Sequence, residues 1–257
     1  MQQPVRAKKH LGQHFLVDET IARNIVDAML DQNSPNALVE VGPGTGVLTK
    51  HLIEGPDFFA LDVDRDSIPF LKQKYPQFAE KIIEADFLRA DLEKIVGDKK
   101  FNVIGNFPYN ISSQIMFKVL EHKDKVDVVV GMFQKEVAER LAEKPGSKVY
   151  GILSVLLQAF YEIEYLFTVN ENVFSPPPKV KSAVIRLKRN VVKKLNCDEV
   201  FFKTVVKTSF NQRRKTIRNS VKSLLKPGAD TSNYLFDKRP EQLSVEQFVE
   251  LTNIIGH

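Results

Sequence analysis

Residues 103–109, with the sequence VIGNFPY, pass from a short apolar run into a turn that carries Asn106, Pro108 and Tyr109. Such a segment is typical of a buried parallel strand that delivers polar side chains to the carboxyl edge of a sheet. Pro108 fixes its own φ angle and restricts Phe107 to extended conformations, so the turn is stiff. The Asn106 side-chain oxygen and a backbone carbonyl oxygen after it can then accept hydrogen bonds from one external NH2 group, beside the flat ring of Tyr109.

The exocyclic amine of adenine fits this arrangement. Its lone pair is delocalised into the purine ring, and the nitrogen is therefore a poor nucleophile. Two acceptors on its hydrogens favour a pyramidal nitrogen with a localised lone pair. No general base of raised pKa is needed, because the acidic proton appears only after attack. Asn, Pro and Tyr are also common in ordinary strand-end turns, so the neighbouring strands have to decide between the two interpretations.

A glycine-rich turn follows the first predicted strand. The strand covers residues 37–41, the turn covers residues 42–46 with the sequence GPGTG, and a helix through residues 48–53 follows. Strand, glycine-rich turn and helix form the first unit of a nucleotide-binding α/β fold, in which glycines let the backbone approach a ligand closely. Val47 occupies the place of the third glycine of the dinucleotide motif, which argues against a dinucleotide site.

The next two predicted strands end in acidic residues. The strand at residues 58–61 ends at Asp62, whose carboxylate can accept from both ribose hydroxyls or can cap the following helix. The strand at residues 81–85 ends at Asp86 and Phe87, a pair that can hold the edge and the face of an adenine ring. Ligand-compatible residues thus recur at consecutive strand ends, which is where open α/β sheets bind ligands.

The remaining pattern predicts further helices and strands in the first 190 residues. The predicted helices cover residues 112–121, 134–141 and 152–161, and the predicted strands cover residues 126–132, 165–169 and 182–187. Three prolines at 176–178 make a stiff, extended segment. We expect this segment to hold Phe174 at the rim of the site, where its ring can stack on a base, although a rigid linker would look the same.

Composition excludes several classes of protein. Of the 257 residues, 43% are hydrophobic and 27% are charged, as in ordinary globular proteins, and no apolar run approaches the ~20 residues of a membrane span. The basic residues 1–10 lack the apolar region of a secretory signal. The single Cys197 cannot form an internal disulfide and indicates a reducing, cytoplasmic compartment. This cysteine and the five scattered His residues show no metal-ligand spacing.

Positive charge is concentrated in one region. Residues 179–226 contain fifteen Lys or Arg and two acidic residues, a net charge of +13, whereas the rest of the chain carries −8. Such an asymmetry favours a nucleic-acid footprint over a merely solvated surface. The pattern predicts two helices in the tail, a first with apolar positions from Val200 to Phe210 and a second with apolar positions from Ile217 to Leu225. The predicted polar face of the second helix carries Arg213, Arg214, Lys215, Arg218 and Lys222, and we expect the first four of these to contact RNA.

The polar segment at residues 190–196 has no clear period and predicts a domain boundary. We therefore expect an α/β domain in residues 1–190, with a basic N-terminal tail pinned at its end, and a small helical RNA-binding domain in residues 191–257. Within the latter, Ser244 and Gln247 resemble a capping box before a last helix.

The chain resembles the S-adenosylmethionine-dependent ribosomal RNA small subunit adenine N6,N6-dimethyltransferases. The resemblance lies in the first 180 residues and keeps the family's order of motifs. The Asn106 motif and the triple-proline segment are the specific ones, whereas the glycine-rich turn is shared by most methyltransferases. The matching segments are 12–16 (GQHFL), 40–46 (EVGPGTG), Asp62, Asp86, 106–112 (NFPYNIS), 134–137 (QKEV) and 174–180 (FSPPPKV).

This resemblance implies a Rossmann-like, seven-stranded α/β sheet with one reversed strand and S-adenosyl-L-methionine as cofactor. It implies that a set of residues at the strand ends and in the N-terminal segment binds the cofactor: His14, Leu16, Gly42, Gly44, Asp62, Asp86 and Asn106. It also implies a catalytic set that holds the target adenine: Asn106, Phe107, Pro108, Tyr109 and Phe174. The family commonly has Asn at position 14, Glu at 62 and Leu at 107, so this chain departs from it in three places.

The resemblance also implies the substrate, two adjacent adenosines near the 3′ end of 16S rRNA in an immature 30S particle. The predicted reaction is direct displacement, in which the adenine N6 attacks the methyl group in line after the base has left its stack. We expect a monomer that needs no metal and contacts no membrane. A DNA adenine methyltransferase and a ribosome-assembly factor with secondary catalysis remain as alternatives.

Overall fold

The computed structural model describes residues 5–32 and 34–256 of the chain. Its backbone forms two compact units, each built from two segments. The first unit comprises Met1–Ala138 and Ile163–Arg189, and the second comprises Glu139–Glu162 and Asn190–His257. These units differ from the predicted division at residue 190, because residues 139–162 group with the C-terminal segment. The roles of the two parts, methyl transfer and RNA binding, stay predictions.

A seven-stranded sheet is the central element of the fold. Its strands are β2 (Ala37–Val41), β3 (Phe58–Asp62), β4 (Ile82–Glu84), β5 (Phe101–Asn106), β6 (Val126–Gln134), β7 (Tyr161–Val169) and β9 (Ser182–Arg189). Their order is β4-β3-β2-β5-β6-β9-β7. Neighbours from β4 to β6 are parallel, whereas β9 runs antiparallel to β6. The predicted seven-stranded sheet with a reversed strand is confirmed.

Helices connect these strands and form the C-terminal segment. They are α1 (Glu19–Leu30), α2 (Thr49–Leu52), α3 (Ser67–Lys74), α4 (Leu92–Val96), α5 (Ser112–Glu121), α6 (Lys135–Ala142), α7 (Ile152–Gln158), α8 (Glu199–Asn211), α9 (Ile217–Ser220) and α10 (Val245–Gly256). Asp18 caps α1 by accepting a hydrogen bond from the Ile21 amide at 3.0 Å. None of the helices among the described residues has the length and apolarity needed to cross a membrane.

Three predicted elements differ from the structure. The predicted helix at residues 152–161 ends at Gln158, and β7 begins at Tyr161 rather than at Tyr165. Alternating apolar and acidic residues in the sequence YEIEYLFTV favour the strand, and pairing within the sheet decides the boundary. The predicted second tail helix is also wrong, because α9 is only one turn long and a 3₁₀ turn at Lys222–Leu224 follows it.

The last predicted helix is confirmed, together with its capping box. The Ser244 hydroxyl accepts from the Gln247 amide at 3.3 Å, and the Gln247 side chain accepts from the Ser244 amide at 2.9 Å. Two backbone donors at the start of α10 are satisfied in this way.

The N-terminal segment is attached to the sheet domain by a small second sheet. Strand β1 (Phe15–Leu16) pairs antiparallel with β8 (Phe174–Ser175). The Val17 amide extends this pairing through a hydrogen bond of 2.9 Å to the Val173 carbonyl oxygen. The tail is therefore pinned at its end, as the sequence predicts, and the strand that pins it is the segment before the three prolines.

A pair of glycines makes room for the Phe107 ring. Gly105 and Gly131 lie opposite each other on β5 and β6. A Cβ atom on Gly131 would lie 2.2 Å from a Phe107 ring carbon and 2.9 Å from a Phe133 ring carbon. The two rings pack edge to face, with centroids 5.1 Å apart. The position of the Phe107 ring thus depends on the absence of a side chain at position 131.

We expect Gly131→Ala to lower the free energy of unfolding by ~1–3 kcal/mol, because the added methyl overpacks the space that the Phe107 ring fills. The measurement is urea unfolding of the wild type, the single variants Gly131→Ala and Phe107→Leu, and the double variant. The cost of Gly131→Ala should be clearly smaller in the Phe107→Leu background, where the ring is gone. An equal cost in both backgrounds would show that the ring is not what occupies the space.

Candidate active site

A cavity of about 220 Å³ opens at the carboxyl ends of β2, β3 and β5. It lies entirely within the first compact unit. Its walls come from the N-terminal segment, the glycine-rich turn, the two acidic strand ends and the turn after β5. The residues that line it include Gln13, His14, Phe15, Gly42, Gly44, Asp62, Val63, Asp86, Leu88, Asn106, Phe107, Pro108, Tyr109 and Asn110.

The glycine-rich turn approaches the cavity with its backbone. Gly42 and Gly44 have φ angles of 70° and 55°, a left-handed conformation that favours glycine. A Cβ atom on Gly44 would lie 2.9 Å from the Phe15 ring, so this ring rests directly on the turn. Phe15 lines the cavity, although the sequence analysis did not select it. Its place in the GQHFL segment, next to two selected residues, was the available signal.

Asp62 holds the glycine-rich turn from the end of the neighbouring strand. One of its carboxylate oxygens accepts from the Gly44 amide at 3.2 Å, and the other accepts from the Asp64 amide at 2.9 Å. Burial raises the pKa of the Asp62 carboxyl, and the backbone hydrogen bonds act against this rise. Asp62 does not cap a helix in this structure, and its binding of ribose hydroxyls stays a prediction.

Asp86 and two apolar residues form the opposite part of the wall. The Asp86 carboxylate accepts from the Leu88 amide at 2.9 Å. Val63 and Leu88 line the cavity beside the two aspartates. Phe87, which we expected to provide the face for an adenine ring, is instead 4% exposed and does not line the cavity. The ring that follows Asp86 packs inward, and Val63 and Leu88 offer the apolar surfaces.

The Asn106 side chain has a defined orientation. Its Nδ2 donates to the His14 carbonyl oxygen at 2.8 Å. A carbonyl oxygen can only accept, so the amide nitrogen must face His14 and Oδ1 must face away from it. Oδ1 therefore stays available as an acceptor at a position that lines the cavity.

The backbone after Asn106 offers a second acceptor. The Phe107 amide donates to the Met132 carbonyl oxygen at 3.2 Å, while no described residue donates to the Phe107 carbonyl oxygen. The Phe107 ring is 1% exposed, so its burial in the core anchors the backbone of the turn after β5. Asn106, Phe107 and Tyr109 line the same cavity, and the joint use of the two oxygens as acceptors stays a prediction.

Tyr109 contacts two residues from distant parts of the chain. Its phenol oxygen lies 2.5 Å from Ser182 Oγ, and its ring stacks on the His14 imidazole with centroids 5.3 Å apart and planes inclined by 29°. His14 Nδ1 is itself 2.8 Å from the Pro176 carbonyl oxygen. The triple-proline segment therefore contacts His14, and His14 in turn stacks on the Tyr109 ring.

Side chains in the N-terminal segment fix it across the cavity. The Gln13 side-chain amide donates to Asp64 at 2.8 Å, and Lys8 forms ion pairs with Asp64 and Asp66. Burial acts to raise the pKa of Asp64, but the hydrogen bonds from Lys8 and Gln13 hold it below its ordinary value. The sequence analysis did not select these residues, because charges in a basic tail and after Asp62 have no local pattern that pairs them.

Two predicted site residues lie elsewhere. Leu16 is 2% exposed and Phe174 is 4% exposed, and both side chains belong to the hydrophobic cluster under β1 and β8. Phe174 is therefore not at the rim, and the expectation that its ring is open to a base is wrong for this structure. The two-residue strand β8 turns the ring inward because its backbone must pair with β1.

The predicted RNA-binding residues are not on one helix face. Arg213, Arg214 and Lys215 lie in the connection between α8 and α9, because α8 ends at Asn211. The Arg213 guanidinium donates to the Lys148 carbonyl oxygen. Arg218 pairs with Asp237 at 2.7 Å and also donates to the Thr231 hydroxyl. Arg214 and Lys215 are exposed.

Glu40 is a buried carboxyl directly before the glycine-rich turn. It is 1% exposed, and Thr49 Oγ1 donates to it at 2.7 Å. Burial raises its pKa from 4.5 to about 8, and the nearby Asp62 charge adds to the rise. Glu40 is therefore neutral at pH 7. In this state it does not add a second negative charge beside Asp62.

The arrangement belongs to a class of enzyme. Described residues contain no cluster of His, Cys, Asp and Glu that could hold a metal ion. A seven-stranded sheet with a reversed strand, a glycine-rich turn after its first strand and acids at the next two strand ends define an S-adenosylmethionine-dependent methyltransferase. The glycine backbone at Gly44 and the carboxylate of Asp62 line one cavity and fit that cofactor.

Comparisons with known proteins identify the family within this class. The sequence model of the family "Ribosomal RNA adenine dimethylase" matches residues 5–256. The chain therefore belongs to the ribosomal RNA adenine dimethylase family and is an S-adenosylmethionine-dependent rRNA adenine dimethyltransferase. This conclusion agrees with the predicted family, activity and cofactor.

Curated relatives and solved structures support the assignment. "Ribosomal RNA small subunit methyltransferase A" of Parabacteroides distasonis is 60% identical over 97% of this chain and 94% of its own. The protein of the same name from Cytophaga hutchinsonii is 56% identical over 98% of both. A dimethyladenosine transferase from Plasmodium falciparum, 24% identical, has a TM-score of 0.76 and aligns over 95% of this chain and 98% of its own. At this identity the structural likeness shows the fold.

We expect Glu40→Gln to stabilise the protein increasingly as the pH rises from about 5 to about 8. In this window the folded protein keeps a proton on Glu40 that the unfolded chain, with a pKa near 4.5, has released. This group therefore lowers the free energy of unfolding as the pH rises through the window, and its effect is constant above pH 8. Glutamine has the same shape and does not titrate.

The measurement is urea unfolding of the wild type and Glu40→Gln at several pH values between 5 and 8. Glu54→Gln, at an exposed carboxyl, is the matched control. The difference in unfolding free energy between Glu40→Gln and the wild type should grow across the window, and that for Glu54→Gln should not. A constant difference for Glu40→Gln would contradict the assignment of a neutral carboxyl.

Proposed function

We propose that the Asn106 side-chain oxygen and the Phe107 carbonyl oxygen hold the N6 amine of the target adenine. The orientation of Asn106 carries this proposal, because its hydrogen bond to His14 leaves Oδ1 as a free acceptor beside a second one. Two acceptors on the amine hydrogens favour a localised lone pair on N6. The residues contribute through positioning, which is a large part of the acceleration in a reaction of this kind.

The cofactor is proposed to lie along the carboxyl edge of the sheet. Asp62 would accept from the ribose hydroxyls, Asp86 would accept from the adenine amine, and Val63 and Leu88 would contact the adenine faces. Gly42 and Gly44 would let the backbone approach the remaining part, with His14 closing the cavity from the N-terminal segment. When bound, S-adenosylmethionine supplies an activated methyl group, and the departing thioether needs no proton from the protein.

The target base is proposed to leave its stack and to be captured by the Tyr109 ring. Stacking on an aromatic ring contributes ~1–3 kcal/mol per base and offsets part of the cost of unstacking. Pro108 keeps the ring and the two acceptors in one stiff turn. Phe174 takes part through the position of β8 rather than through direct stacking, because its ring is buried.

The substrate is proposed to be small-subunit rRNA, as the names of the relatives indicate. Two adjacent adenosines near the 3′ end of 16S rRNA, in an immature 30S particle, are the target that the family resemblance implies. The predictions of a monomeric state, of a cytoplasmic location and of an additional assembly role stay predictions. Membership in an RNA-methylating family favours RNA over DNA as substrate.

A test of the site separates cofactor binding from chemistry. We expect Asp62→Ala to weaken cofactor binding by a free energy on the order of 1–3 kcal/mol, because it removes the acceptors for the ribose hydroxyls. Asn106→Ala should instead slow methyl transfer more than it weakens RNA binding, since its oxygen acts mainly in the transition state. Calorimetry measures the first effect, and single-turnover kinetics at saturating cofactor measures the second.

Asn110→Ala serves as the control, because Asn110 lines the cavity without an assigned contact to the cofactor or the target base. A normal single-turnover rate in Asn106→Ala would contradict the lone-pair argument. Unchanged cofactor affinity in Asp62→Ala would remove Asp62 from the ribose site. Digestion of the RNA product should yield dimethyladenosine, and a product that stops at monomethyladenosine would contradict the proposed capacity of the site.

RNA contacts are proposed for the exposed members of the basic group. Arg214 and Lys215 are free to meet phosphates, whereas Arg213 and Arg218 are engaged with Lys148 and Asp237. Phosphate contacts position the substrate without reading its bases. Arg213 and Arg218 hold the local structure of the C-terminal unit in this proposal.

Two matched double variants test this division. Arg214→Gln with Lys215→Gln should weaken rRNA binding at low salt and make the log–log salt dependence shallower by ~0.7 per lost contact to single-stranded RNA. Its melting temperature should stay near that of the wild type. Arg213→Gln with Arg218→Gln should lower the melting temperature instead. If the first pair bound rRNA as the wild type does, these cations would serve only solubility.

A further inference from the structure

Tyr109 is held at both ends of its side chain. Its backbone lies in a turn in which the Ile111 amide donates to the Pro108 carbonyl oxygen at 3.1 Å. Its phenol oxygen lies 2.5 Å from Ser182 Oγ. These two attachments fix the long axis of the ring, and the stacked His14 imidazole fixes its plane.

Ser182 is a rigid point of attachment. It is fully buried and is the first residue of β9, opposite Gln134 on β6. The Lys135 amide donates to the Lys181 carbonyl oxygen at 2.9 Å and continues the pairing past Ser182. The hydroxyl therefore has a fixed place relative to the sheet that carries Asn106 and Phe107.

The phenol of Tyr109 has no acid–base role that would explain this contact. Burial raises its pKa, and the group stays protonated at neutral pH. No charged group is hydrogen-bonded to it among the described residues. The hydrogen bond to Ser182 instead restrains the Tyr109 ring to its position beside Asn106 and Phe107.

We propose that Ser182 is a positioning residue for base capture, which holds the phenol of Tyr109 so that the ring is aligned before the target adenine arrives. Because the His14 imidazole covers one face of the ring, the adenine stacks on the other face. A preformed platform avoids the cost of ordering the ring on binding. The inference rests on the proposed role of Tyr109 in base capture.

The experiment uses Ser182→Ala, Tyr109→Phe, the double variant and Tyr109→Ala in the full chain. Single-turnover methyl transfer is measured at saturating cofactor and RNA. Stacking is measured by the fluorescence of an RNA with 2-aminopurine at the target position, and cofactor affinity is measured by calorimetry. Ser182→Ala and Tyr109→Phe each remove one partner of the same hydrogen bond, so the pair forms a double-mutant cycle.

We expect each single variant to slow methyl transfer about tenfold, the factor that corresponds to one ordinary hydrogen bond, and to lose 2-aminopurine quenching. The double variant should be no slower than Tyr109→Phe, because Ser182 acts only through the phenol. Cofactor affinity should stay at the wild-type value in all of them. Tyr109→Ala should lose more than Tyr109→Phe.

Wild-type rate and quenching in Ser182→Ala would overturn the proposal, as would additive effects of the two single changes. If Ser182→Ala failed to fold, Tyr109→Phe would decide alone, since a wild-type rate in that variant would show that the phenol contact is not needed. A different result would contradict the proposed role of Tyr109 in base capture, on which this inference rests. Tyr109→Ala with a wild-type rate would remove Tyr109 from base capture altogether.

Discussion

The hydrogen bond from the Asn106 amide nitrogen to the His14 carbonyl oxygen is the interaction on which the site depends. It joins the end of the central strand β5 to the N-terminal segment, more than ninety residues away in sequence. Because this bond holds Nδ2 of Asn106 against His14, Oδ1 of the same side chain faces away from His14 and stays available as an acceptor. The position of His14 in turn relies on the pairing of β1 with β8 and on the bonds from Lys8 and Gln13 to Asp64.

Packing beneath the turn supports the second acceptor. The Phe107 ring lies in a space that Gly105 and Gly131 leave open, and it packs edge to face on Phe133. A large buried ring anchors the backbone more firmly than a small side chain, because a close-packed core resists displacement. The Phe107 ring thus fits only because Gly131, on the neighbouring strand, has no side chain.

Charge behaves differently in the two compact units. In the first, burial keeps the Glu40 carboxyl neutral, and Lys8 pairs with the negative charge of Asp64. In the second, two of the four selected arginine and lysine residues are engaged within the unit. A count of basic residues therefore overestimates the charge that is free to meet a nucleic acid, because part of it stabilises the protein itself.

Sequence alone predicted strands β2 to β6, the glycine-rich turn and the positions of Asp62, Asp86 and Asn106 at the strand ends that line the cavity. These features depend on short apolar runs and on turn residues, whose conformational preferences are local. Only the tertiary structure decided that Phe174 and Leu16 are buried, that β7 begins at Tyr161 and that Ser182 reaches Tyr109. Each of these depends on pairing between segments far apart in the chain, and no local pattern records such contacts. The sequence did not reveal the role of Gly131 for the same reason, because the Phe107 ring that fills the space beside it comes from another part of the chain.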